Sequence, residues 1–457
     1  MLNWIEQYNQ GQENGAVLMN TAYKVTYGKL AGYIAYRQEE LRKLYKSGDK
    51  VILRVKSQMA FAIDFLCFVS IGCWVLPVPW DMKKEEWMDL KSITAGDILE
   101  SNEDTIKQCI AVRDSNRKEV RWNDHDGGIL HMTSGTTGKT KLCIRDFKSL
   151  LAEGKSYIQC FGIHQQDRIL SACPITHSFA FGGAYLPALI SGVDIYFVEQ
   201  FVPRKVLKII SEEKMTIVLM VPVIADAVAA VDRNNKYDIS SMRIALIGAG
   251  KTYDRLFNNY KEKYNIILSG NYGSTETGGL ASRVSGENYA SVGKPMPGVE
   301  IQIRSKDGML LECGQEGEIY VKSPAMFSGY FGESASMFDE NGYFKMGDIG
   351  KIDKEGYVYI LGRSRHLIKI GGKTVNPKDI ESVIMKHTKI TDCVIVGKTD
   401  EKNIEYMKAY IAAENISMEE VRLYLSQHLS SSQIPRVIEI VESIKKNAIG
   451  KVDYSVL

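Results

Sequence analysis

The loop from Thr133 to Lys141 combines residue types that together can bind an anion. It reads Thr-Ser-Gly-Thr-Thr-Gly-Lys-Thr-Lys and follows the short apolar run at 129–132. Glycines let backbone N–H groups approach a ligand closely, hydroxyl groups add further contacts, and Lys139 and Lys141 add positive charge. The pattern therefore predicts a phosphate-binding loop at the end of a strand.

The tail of this loop, Gly138-Lys139-Thr140, is also the end of the P-loop motif of nucleotide triphosphatases. That motif requires a glycine at the position of Thr133. A P-loop also leads straight into its helix, whereas residues 141–145 are typical of a strand and a helical pattern begins only near Asp146. The sequence thus disfavours a P-loop nucleotide triphosphatase.

A second polar motif, at 271–277, reads Asn-Tyr-Gly-Ser-Thr-Glu-Thr and follows the apolar run at 266–268. In open α/β sheets, ligands bind at the carboxyl ends of strands. The aromatic face of Tyr272 suits a purine, and the carboxylate of Glu276 is the hard oxygen ligand that Mg²⁺ prefers. A plain turn with a surface glutamate is the alternative when this motif is taken by itself.

Asp348 and Arg363 lie at the two ends of a predicted hairpin whose turn is at 353–356. Antiparallel pairing about that turn places Asp348 opposite Leu361 and two residues from Arg363. Both polar side chains could then face one ligand, and a carboxylate is a natural acceptor for a diol. A surface ion pair is the alternative.

In this order, the motifs resemble the signatures of the adenylate-forming superfamily, which includes acyl-CoA synthetases, luciferases and the adenylation domains of peptide synthetases. The resemblance runs from Val25 to Lys451, and within the superfamily the sequence is most similar to acyl-CoA synthetases. It implies that ATP and a carboxylic acid form an acyl-adenylate, and that a small domain then turns so that a thiol can attack. ATP, Mg²⁺, and CoA or a phosphopantetheinyl carrier protein are the implied cofactors and partners. Thr140 replaces the family's usual proline.

The resemblance also implies an ATP site. Tyr272 would stack on adenine, Thr275 would contact the phosphates and Glu276 would hold Mg²⁺. Asp348 and Arg363 would bind the ribose hydroxyls. The implied ATP-binding residues are Thr133, Ser134, Gly135, Thr136, Thr137, Gly138, Lys141, Gly248, Ala249, Gly250, Asn271, Tyr272, Gly273, Asp348 and Arg363.

Five residues are implied in catalysis. Lys451 matches the family's C-terminal lysine, and a point charge on a flexible stem suits the charge that develops between the carboxylate and the α-phosphate. Thr275 and Glu276 are implied at the phosphates and magnesium, and His177 matches the family's aromatic or histidine gate. Lys369 is implied in the thiol step.

The implied hinge lies at 364–365, where Arg365 occupies a position that is more often Asp or Lys in the family. This divides the chain into a domain at 1–363 and a small mobile domain at 366–457. Gly371-Gly372 resembles the loop that lines the pantetheine tunnel, where glycine permits close approach. That loop favours CoA slightly over a carrier protein.

The acid pocket is implied at 174–182, 218–222 and 248–250. None of these segments carries an acidic residue that could hold an α-amino group, so an apolar acid, fatty or aromatic, is favoured. Two alternatives stay open. One is a free-standing adenylation enzyme that loads a carrier protein; the other is a degenerate relative that binds nucleotide or acyl ligands without turnover.

The elements that must position these motifs follow from the hydrophobic pattern. Before about Gly293, apolar runs alternate with helical patterns such as 146–161 and 205–213, which predicts largely parallel sheets. Later strands are short and separated by glycine-rich turns. The predicted fold is α/β, with a large N-terminal domain of α/β subdomains, a small β-barrel-like subdomain and a small α+β C-terminal domain. In the last of these, Ser417 and Glu420 form a capping box.

Composition narrows the choice of partners. Lys and Arg number 57 against 55 Asp and Glu, which gives no reason to expect nucleic acid or an anionic membrane surface. The apolar stretch at 59–78 contains Asp64 and predicts a buried helix followed by a strand, not a membrane span. The eight cysteines form no metal-binding pattern. Residues 1–7 lack a basic segment followed by an apolar core, so we expect no secretory signal. We therefore expect a cytoplasmic enzyme with buried free thiols.

Overall fold

The structure of this chain is a computed structural model that describes residues 17–112, 120, 122, 127–134, 140–231, 237–250, 252, 254–284, 288–333, 336–363, 368–370, 373–400, 405–430, 433–446 and 452–457. Several predicted site residues lie outside these ranges, namely Gly135, Thr136, Thr137, Gly138, Arg365, Gly371, Gly372 and Lys451.

The strands of the described residues are, in chain order, β1 (Val17–Met19), β2 (Lys24–Thr26), β3 (Lys50–Val55), β4 (Trp74–Pro79), β5 (Asp97–Ser101), β6 (Gly128–Ser134), β7 (Thr140–Asp146), β8 (Arg168–Ser171), β9 (Asp194–Phe197), β10 (Ile217–Met220), β11 (Ile244–Ile247), β12 (Leu268–Ser274), β13 (Gly278–Arg283), β14 (Lys294–Pro295), β15 (Glu300–Arg304), β16 (Gly317–Lys322), β17 (Gly329–Tyr330), β18 (Phe344–Ile352), β19 (Val358–Arg363), β20 (Ile368–Ile370), β21 (Lys373–Val375), β22 (Ile390–Thr399), β23 (Glu405–Ala413) and β24 (Val437–Val441).

The α-helices are α1 (Tyr27–Leu41), α2 (Gln58–Ser70), α3 (Lys84–Thr94), α4 (Glu103–Ala111), α5 (Phe147–Phe161), α6 (Ser178–Ala180), α7 (Leu186–Ser191), α8 (Pro203–Glu212), α9 (Pro222–Ala229), α10 (Asp254–Tyr264), α11 (Pro377–Ile384) and α12 (Met418–His428). A π-helical turn at Phe181–Tyr185 joins α6 to α7, and a 3₁₀ turn spans Tyr454–Val456.

The largest sheet has nine strands in the order β14-β13-β12-β11-β10-β8-β9-β1-β2. The six strands from β12 to β1 pair in parallel, whereas β13, β14 and β2 pair antiparallel at the edges. Strands buried on both faces are near-continuous apolar runs, and every residue of β10 and β11 is buried. The carboxyl ends of these central strands lie along one edge of the sheet, which we call the rim. The 271–277 motif lies on this rim, at the end of β12.

A second sheet has six strands in the order β17-β7-β6-β4-β3-β5. The four strands β5, β3, β4 and β6 run parallel, and β6 and β7 form the hairpin that carries the predicted phosphate loop. One hydrophobic core contains side chains from both large sheets, among them Leu53, Ile129 and Leu219. The two sheets therefore pack against each other through one shared core. This packing fixes the position of β6 relative to β12.

Two smaller assemblies follow along the chain. Strands β15, β16, β18 and β19 form a four-stranded antiparallel sheet where the sequence predicted a small β-barrel-like subdomain. Further on, β22, β23 and β24 form a mixed sheet that shares a core with α11 and α12. This confirms the predicted α/β class with a large N-terminal and a small C-terminal domain; the exact boundaries stay a prediction.

Local sequence signals placed several elements correctly. The Asp146 side chain accepts a 2.6 Å hydrogen bond from the backbone N–H of Ser149, so the chain passes from β7 directly into α5. The Ser417 hydroxyl accepts from the backbone N–H of Glu420 at 3.1 Å, as the capping box predicted. The stretch at 59–78 is the buried helix α2 followed by β4. No helix in the described ranges is long and apolar enough to cross a membrane.

Two sequence expectations need correction. Asp348 pairs with Arg363 and not with Leu361, because the register shifts after Ile349 and Leu361 becomes the extra residue of a β-bulge. All eight cysteines are free thiols, but they are not all buried, since Cys313 is exposed.

Candidate active site

The turn between β12 and β13 presents the Thr275–Glu276 pair. Its backbone is closed by Ser274 and Thr277: the Ser274 N–H donates to the Thr277 hydroxyl at 3.1 Å, and the Thr277 N–H donates to the Ser274 carbonyl at 3.3 Å. A register shift follows Tyr272, and Gly273 lies so close to Gly278 that a Cβ would overlap its carbonyl. The sequence therefore forms a tight, internally bonded turn at the sheet rim.

The Glu276 side chain is held from a neighbouring element. The Tyr330 hydroxyl donates to Oε1 of Glu276 at 2.9 Å, and the Phe327 N–H donates to the Glu276 carbonyl at 2.7 Å. The Thr275 hydroxyl lies 3.2 Å from that of Ser178, at the start of α6. The turn is thus fixed between β17 and α6 with both predicted ligand-facing side chains partly exposed.

Tyr272, Asp348 and Arg363 form the second part of the site. The Tyr272 hydroxyl donates to Oδ2 of Asp348 at 2.7 Å, while Nε of Arg363 lies 2.9 Å from Oδ1. The carboxylate is buried and the arginine is 41% exposed. Burial, with the carboxylate beside it, raises the pKa of Tyr272 well above its ordinary value, so this hydroxyl stays a donor.

The hairpin of β6 and β7 brings the predicted phosphate loop to the same region. Thr133 pairs with Lys141 and Ser134 with Thr140, so the two described ends of the predicted loop lie side by side. Nζ of Lys141 lies 2.7 Å from Oε1 of Glu333 and 4.5 Å above the Tyr330 ring. Tyr330 therefore contacts both the predicted phosphate-binding lysine and the predicted metal ligand.

The three segments predicted to line the acid pocket meet in the structure. A Cβ on Gly248 would lie 2.7 Å from the Phe179 ring, and one on Gly250 would lie 2.9 Å from Pro222. Ala249, between the two glycines, has φ +62°, a left-handed conformation that non-glycine residues rarely adopt.

Three further predicted residues, Asn271, His177 and Lys369, lie on different elements of the structure. Oδ1 of Asn271 accepts a hydrogen bond from the Tyr157 hydroxyl at 3.0 Å, so this side chain already has a partner on α5. His177 is the N-cap residue that directly precedes α6, and it is partly exposed. Lys369 lies on β20, apart in sequence from these segments.

Sequence reasoning missed a buried polar group beneath the turn. Arg145 and Glu153 form an ion pair at 2.8 Å with side chains 0% and 3% exposed. His131 lies on the same face of the β6–β7 hairpin as Arg145, and neither ring nitrogen has a hydrogen-bond partner among the described residues. Burial, and then the Arg145 charge, lower the pKa of His131 well below its ordinary value. The hint in the sequence was Arg145 itself, which directly follows the apolar run at 142–144.

The donor set fits a magnesium ion that arrives with nucleotide. No group of three or more His, Cys, Asp or Glu side chains that could hold a metal alone occurs within the described ranges. Magnesium bound to nucleotide phosphates usually takes only one or two protein carboxylates. Glu276, oriented by Tyr330 and beside Thr275, meets that requirement.

Known protein families and a solved structure resemble this chain along most of its length. A model of the AMP-binding enzyme family matches residues 5–331, and a model of the AMP-binding enzyme C-terminal domain matches residues 379–451. The chain is 30% identical over 350 residues to 4-coumarate–CoA ligase-like 2 of Arabidopsis thaliana, covering 74% of this chain and 62% of the relative. It is 27% identical over 473 residues to the 2-succinylbenzoate–CoA ligase of Bacillus subtilis, covering 98% and 96%. The structure of ATP-bound MatB from Rhodopseudomonas palustris matches with a TM-score of 0.90 at 22% identity, covering 100% of this chain and 98% of that one. At that identity the structural likeness shows the fold.

Proposed function

The chain belongs to the AMP-binding enzyme family, and from that premise we propose that it uses ATP to activate a carboxylic acid as an acyl-adenylate. A thiol, in our proposal that of CoA, then takes the acyl group. The observation that carries this proposal is the Tyr272–Asp348–Arg363 arrangement beside the Thr275–Glu276 turn. It offers an aromatic face, a diol acceptor and a metal ligand on one rim.

The nucleoside half of ATP would lie between β12 and the β18–β19 hairpin. Asp348 already accepts hydrogen bonds from Tyr272 and Arg363, which fixes its carboxylate before ribose arrives. A carboxylate has about four lone-pair sites, so accepting from ribose hydroxyls is still possible. The backbone of Gly248 to Gly250 is the proposed contact for adenine, where the positive φ of Ala249 keeps the chain turned.

The phosphates would lie over the Thr275–Glu276 turn and the end of the β6–β7 hairpin. Magnesium held by Glu276 supplies charge neutralisation of the phosphates when bound. Lys141 is the lysine of the loop that the structure describes. Its ammonium group must leave Glu333 before it can bind phosphate. Lys451 remains assigned by its motif to the charge that develops during adenylation.

The acid proposed for this site is apolar, either fatty or aromatic. Phe179, Pro222 and Leu219 come from the segments that meet around the Gly248 loop. Glu153 approaches this region against Gly182, and its charge is already balanced by Arg145. The three pocket segments, 174–182, 218–222 and 248–250, contain no Asp or Glu that could pair with a substrate ammonium group.

CoA is preferred to a carrier protein as the acceptor because the two curated relatives named above are CoA ligases. Lys369 and Gly371-Gly372 are proposed to serve the thiol step after a domain rotation about Arg365. We also propose a cytoplasmic location, since all eight cysteines are free thiols.

Mass spectrometry of the products tests this proposal. The protein would be incubated with ATP, Mg²⁺ and a panel of fatty, aromatic and amino acids, with either CoA or a phosphopantetheinylated carrier protein. We expect an acyl-CoA from an apolar acid. Thioester on the carrier protein alone would support the loading enzyme instead, and the absence of both adenylate and thioester would support a non-catalytic relative.

A further inference from the structure

Arg145 on β7 and Glu153 on α5 form an ion pair that is buried completely beneath the Thr275–Glu276 turn. Nη2 of Arg145 lies 2.8 Å from Oε2 of Glu153, with the side chains 0% and 3% exposed. Removing both charges from water is costly, and apolar residues of similar volume often give equal or better stability. Nε of Arg145 also lacks a hydrogen-bond partner among the described residues. Stability alone is therefore a poor explanation for the pair.

The second arm of Arg145 reaches the turn itself. Nη1 donates to the Thr275 carbonyl at 3.3 Å, across 130 residues of sequence. This carbonyl belongs to the peptide bond between Thr275 and Glu276. Because that peptide plane sets the direction in which both side chains leave the backbone, the guanidinium orients the two residues proposed to meet phosphate and magnesium.

The Glu153 carboxylate fixes the other side of the same turn. A Cβ on Gly278, which ends the turn with φ +67°, would lie 2.8 Å from Cδ of Glu153. A Cβ on Gly182, in the π-helical turn after α6, would overlap the same carboxylate. Two glycines thus allow backbone from the turn and from the acid-pocket segment to pack directly on one charged group.

We propose that Arg145 and Glu153 are positioning residues that hold the Thr275–Glu276 peptide in the orientation needed for magnesium-ATP, and that tie it to the acid-pocket segment at Gly182. Neither residue contacts ligand in this account. The inference rests on the proposed function, because the turn is taken to be where phosphate and magnesium bind. The buried charge pair is rigid, so it keeps the Thr275–Glu276 peptide from moving away from this orientation.

A double replacement separates this role from a structural one. Arg145→Met and Glu153→Gln singly leave one buried group without its partner, so both single variants should lose thermal stability. Arg145→Met/Glu153→Gln together remove both charges and should recover most of the melting temperature. If the pair positions the turn, the double variant should still show about a tenfold or greater loss of kcat in acid-dependent pyrophosphate exchange and a raised magnesium requirement. Wild-type kcat and magnesium dependence in the folded double variant would overturn the proposal.

Two further variants keep the test decisive. Arg145→Lys retains the charge pair with Glu153 but has a single amine in place of the two-armed guanidinium, so it should fold normally and lose activity; full activity would contradict the proposal even if the double variant fails to fold. Arg304→Met/Asp339→Asn is the matched control, because it removes an ion pair of 2.6 Å on the β15 sheet, away from the turn. It should leave the kinetics unchanged.

Calorimetric binding of magnesium-ATP gives a readout independent of turnover. We expect the Arg145→Met/Glu153→Gln protein to bind magnesium-ATP several-fold more weakly than the wild type, and the Arg304→Met/Asp339→Asn protein to bind equally well. Wild-type protein that shows no exchange with any acid would refute the proposed function. The affinity comparison would still decide this inference, and equal affinity in wild type and double variant would refute it.

Discussion

The Tyr272 hydroxyl donates a 2.7 Å hydrogen bond to the Asp348 carboxylate, joining residues that are 76 positions apart. One lies at the end of a parallel-sheet strand and the other in an antiparallel sheet. The contact therefore fixes the two sheets to each other where the nucleoside is proposed to bind. Since Arg363 engages the second carboxylate oxygen, Asp348 is oriented before ligand arrives, which lowers the cost of ordering it on binding.

Asp348→Asn should weaken ATP binding. The amide keeps the shape but loses charge-assisted acceptance from the ribose hydroxyls, a loss of about 1.5–3 kcal/mol, or roughly 10- to 100-fold in the KM for ATP. Steady-state kinetics at saturating acid measures this. Asp307→Asn, at an exposed turn of the same subdomain, is the control, and an unchanged ATP KM in Asp348→Asn would remove Asp348 from the nucleotide site.

Tyr330→Phe should raise the magnesium requirement. Its hydroxyl is a hydrogen-bond partner of Glu276, and removing a group that orients a metal ligand typically costs about 10- to 100-fold in metal affinity. We expect magnesium affinity to fall by about tenfold or less, because the nucleotide also holds the ion. Exchange rates over a magnesium titration measure it. Tyr36→Phe removes a matched 2.9 Å bond to Glu40 on the α1 surface and should have no effect; the same result for Tyr330→Phe would deny it this role.

Glu333→Gln should lower the KM for ATP. Lys141 lies 2.7 Å from Glu333, with side chains 31% and 36% exposed, and it must leave this partner to reach phosphate. An exposed pair of this kind contributes about 0.2–1 kcal/mol, so its removal predicts a gain of up to about fivefold. Lys141→Met should act in the opposite direction. Glu318→Gln, which breaks the pair with Lys345, is the control, and a raised KM in Glu333→Gln would contradict the competition.

Asp167→Asn should destabilise the fold in a pH-dependent way. Burial by itself would raise the pKa of Asp167, but hydrogen bonds from Arg243, the His164 N–H and Thr216 hold it below its usual range. We expect a loss of about 2–4 kcal/mol at pH 7, reduced from that of a fully dry pair because Arg243 is 35% exposed.

The sign of this pH effect follows from the depressed pKa. The stabilisation is complete above the unfolded-state pKa of about 4 and is lost as pH falls through the lower folded-state value. Denaturant unfolding of wild type and variant between pH 7 and pH 2 should therefore show the difference shrinking below about pH 4. Asp238→Asn, in an exposed pair with Lys214, should change little, and a difference that persists unchanged at pH 2 would contradict the assignment.

Lys451→Ala should separate the two half-reactions. The lysine is assigned by its motif to adenylation, so the variant should lose acyl-adenylate formation and still convert supplied acyl-adenylate to thioester at a rate close to that of the wild type. Lys445→Ala, in the same motif, is the control. Equal loss of both steps in Lys451→Ala would show that the residue serves something other than adenylation.

The sequence predicted what depends on local pattern. The rim position of Glu276, the strand before Asp146 and the capping box at Ser417 all follow from runs of a few residues. The partner of Asp348 was wrong because a bulge is a tertiary adjustment that leaves no mark in the alternation of residues. The Arg145–Glu153 pair was missed because its burial depends on backbone from distant segments, at Gly182 and Gly278.

Acid-dependent exchange of labelled pyrophosphate into ATP tests the central claim most directly, since it requires reversible formation of an acyl-adenylate. With the wild-type protein, magnesium and a panel of fatty, aromatic and amino acids, we expect exchange with at least one apolar acid and none without acid. Absence of exchange with every acid, from folded protein that binds magnesium-ATP, would contradict the account.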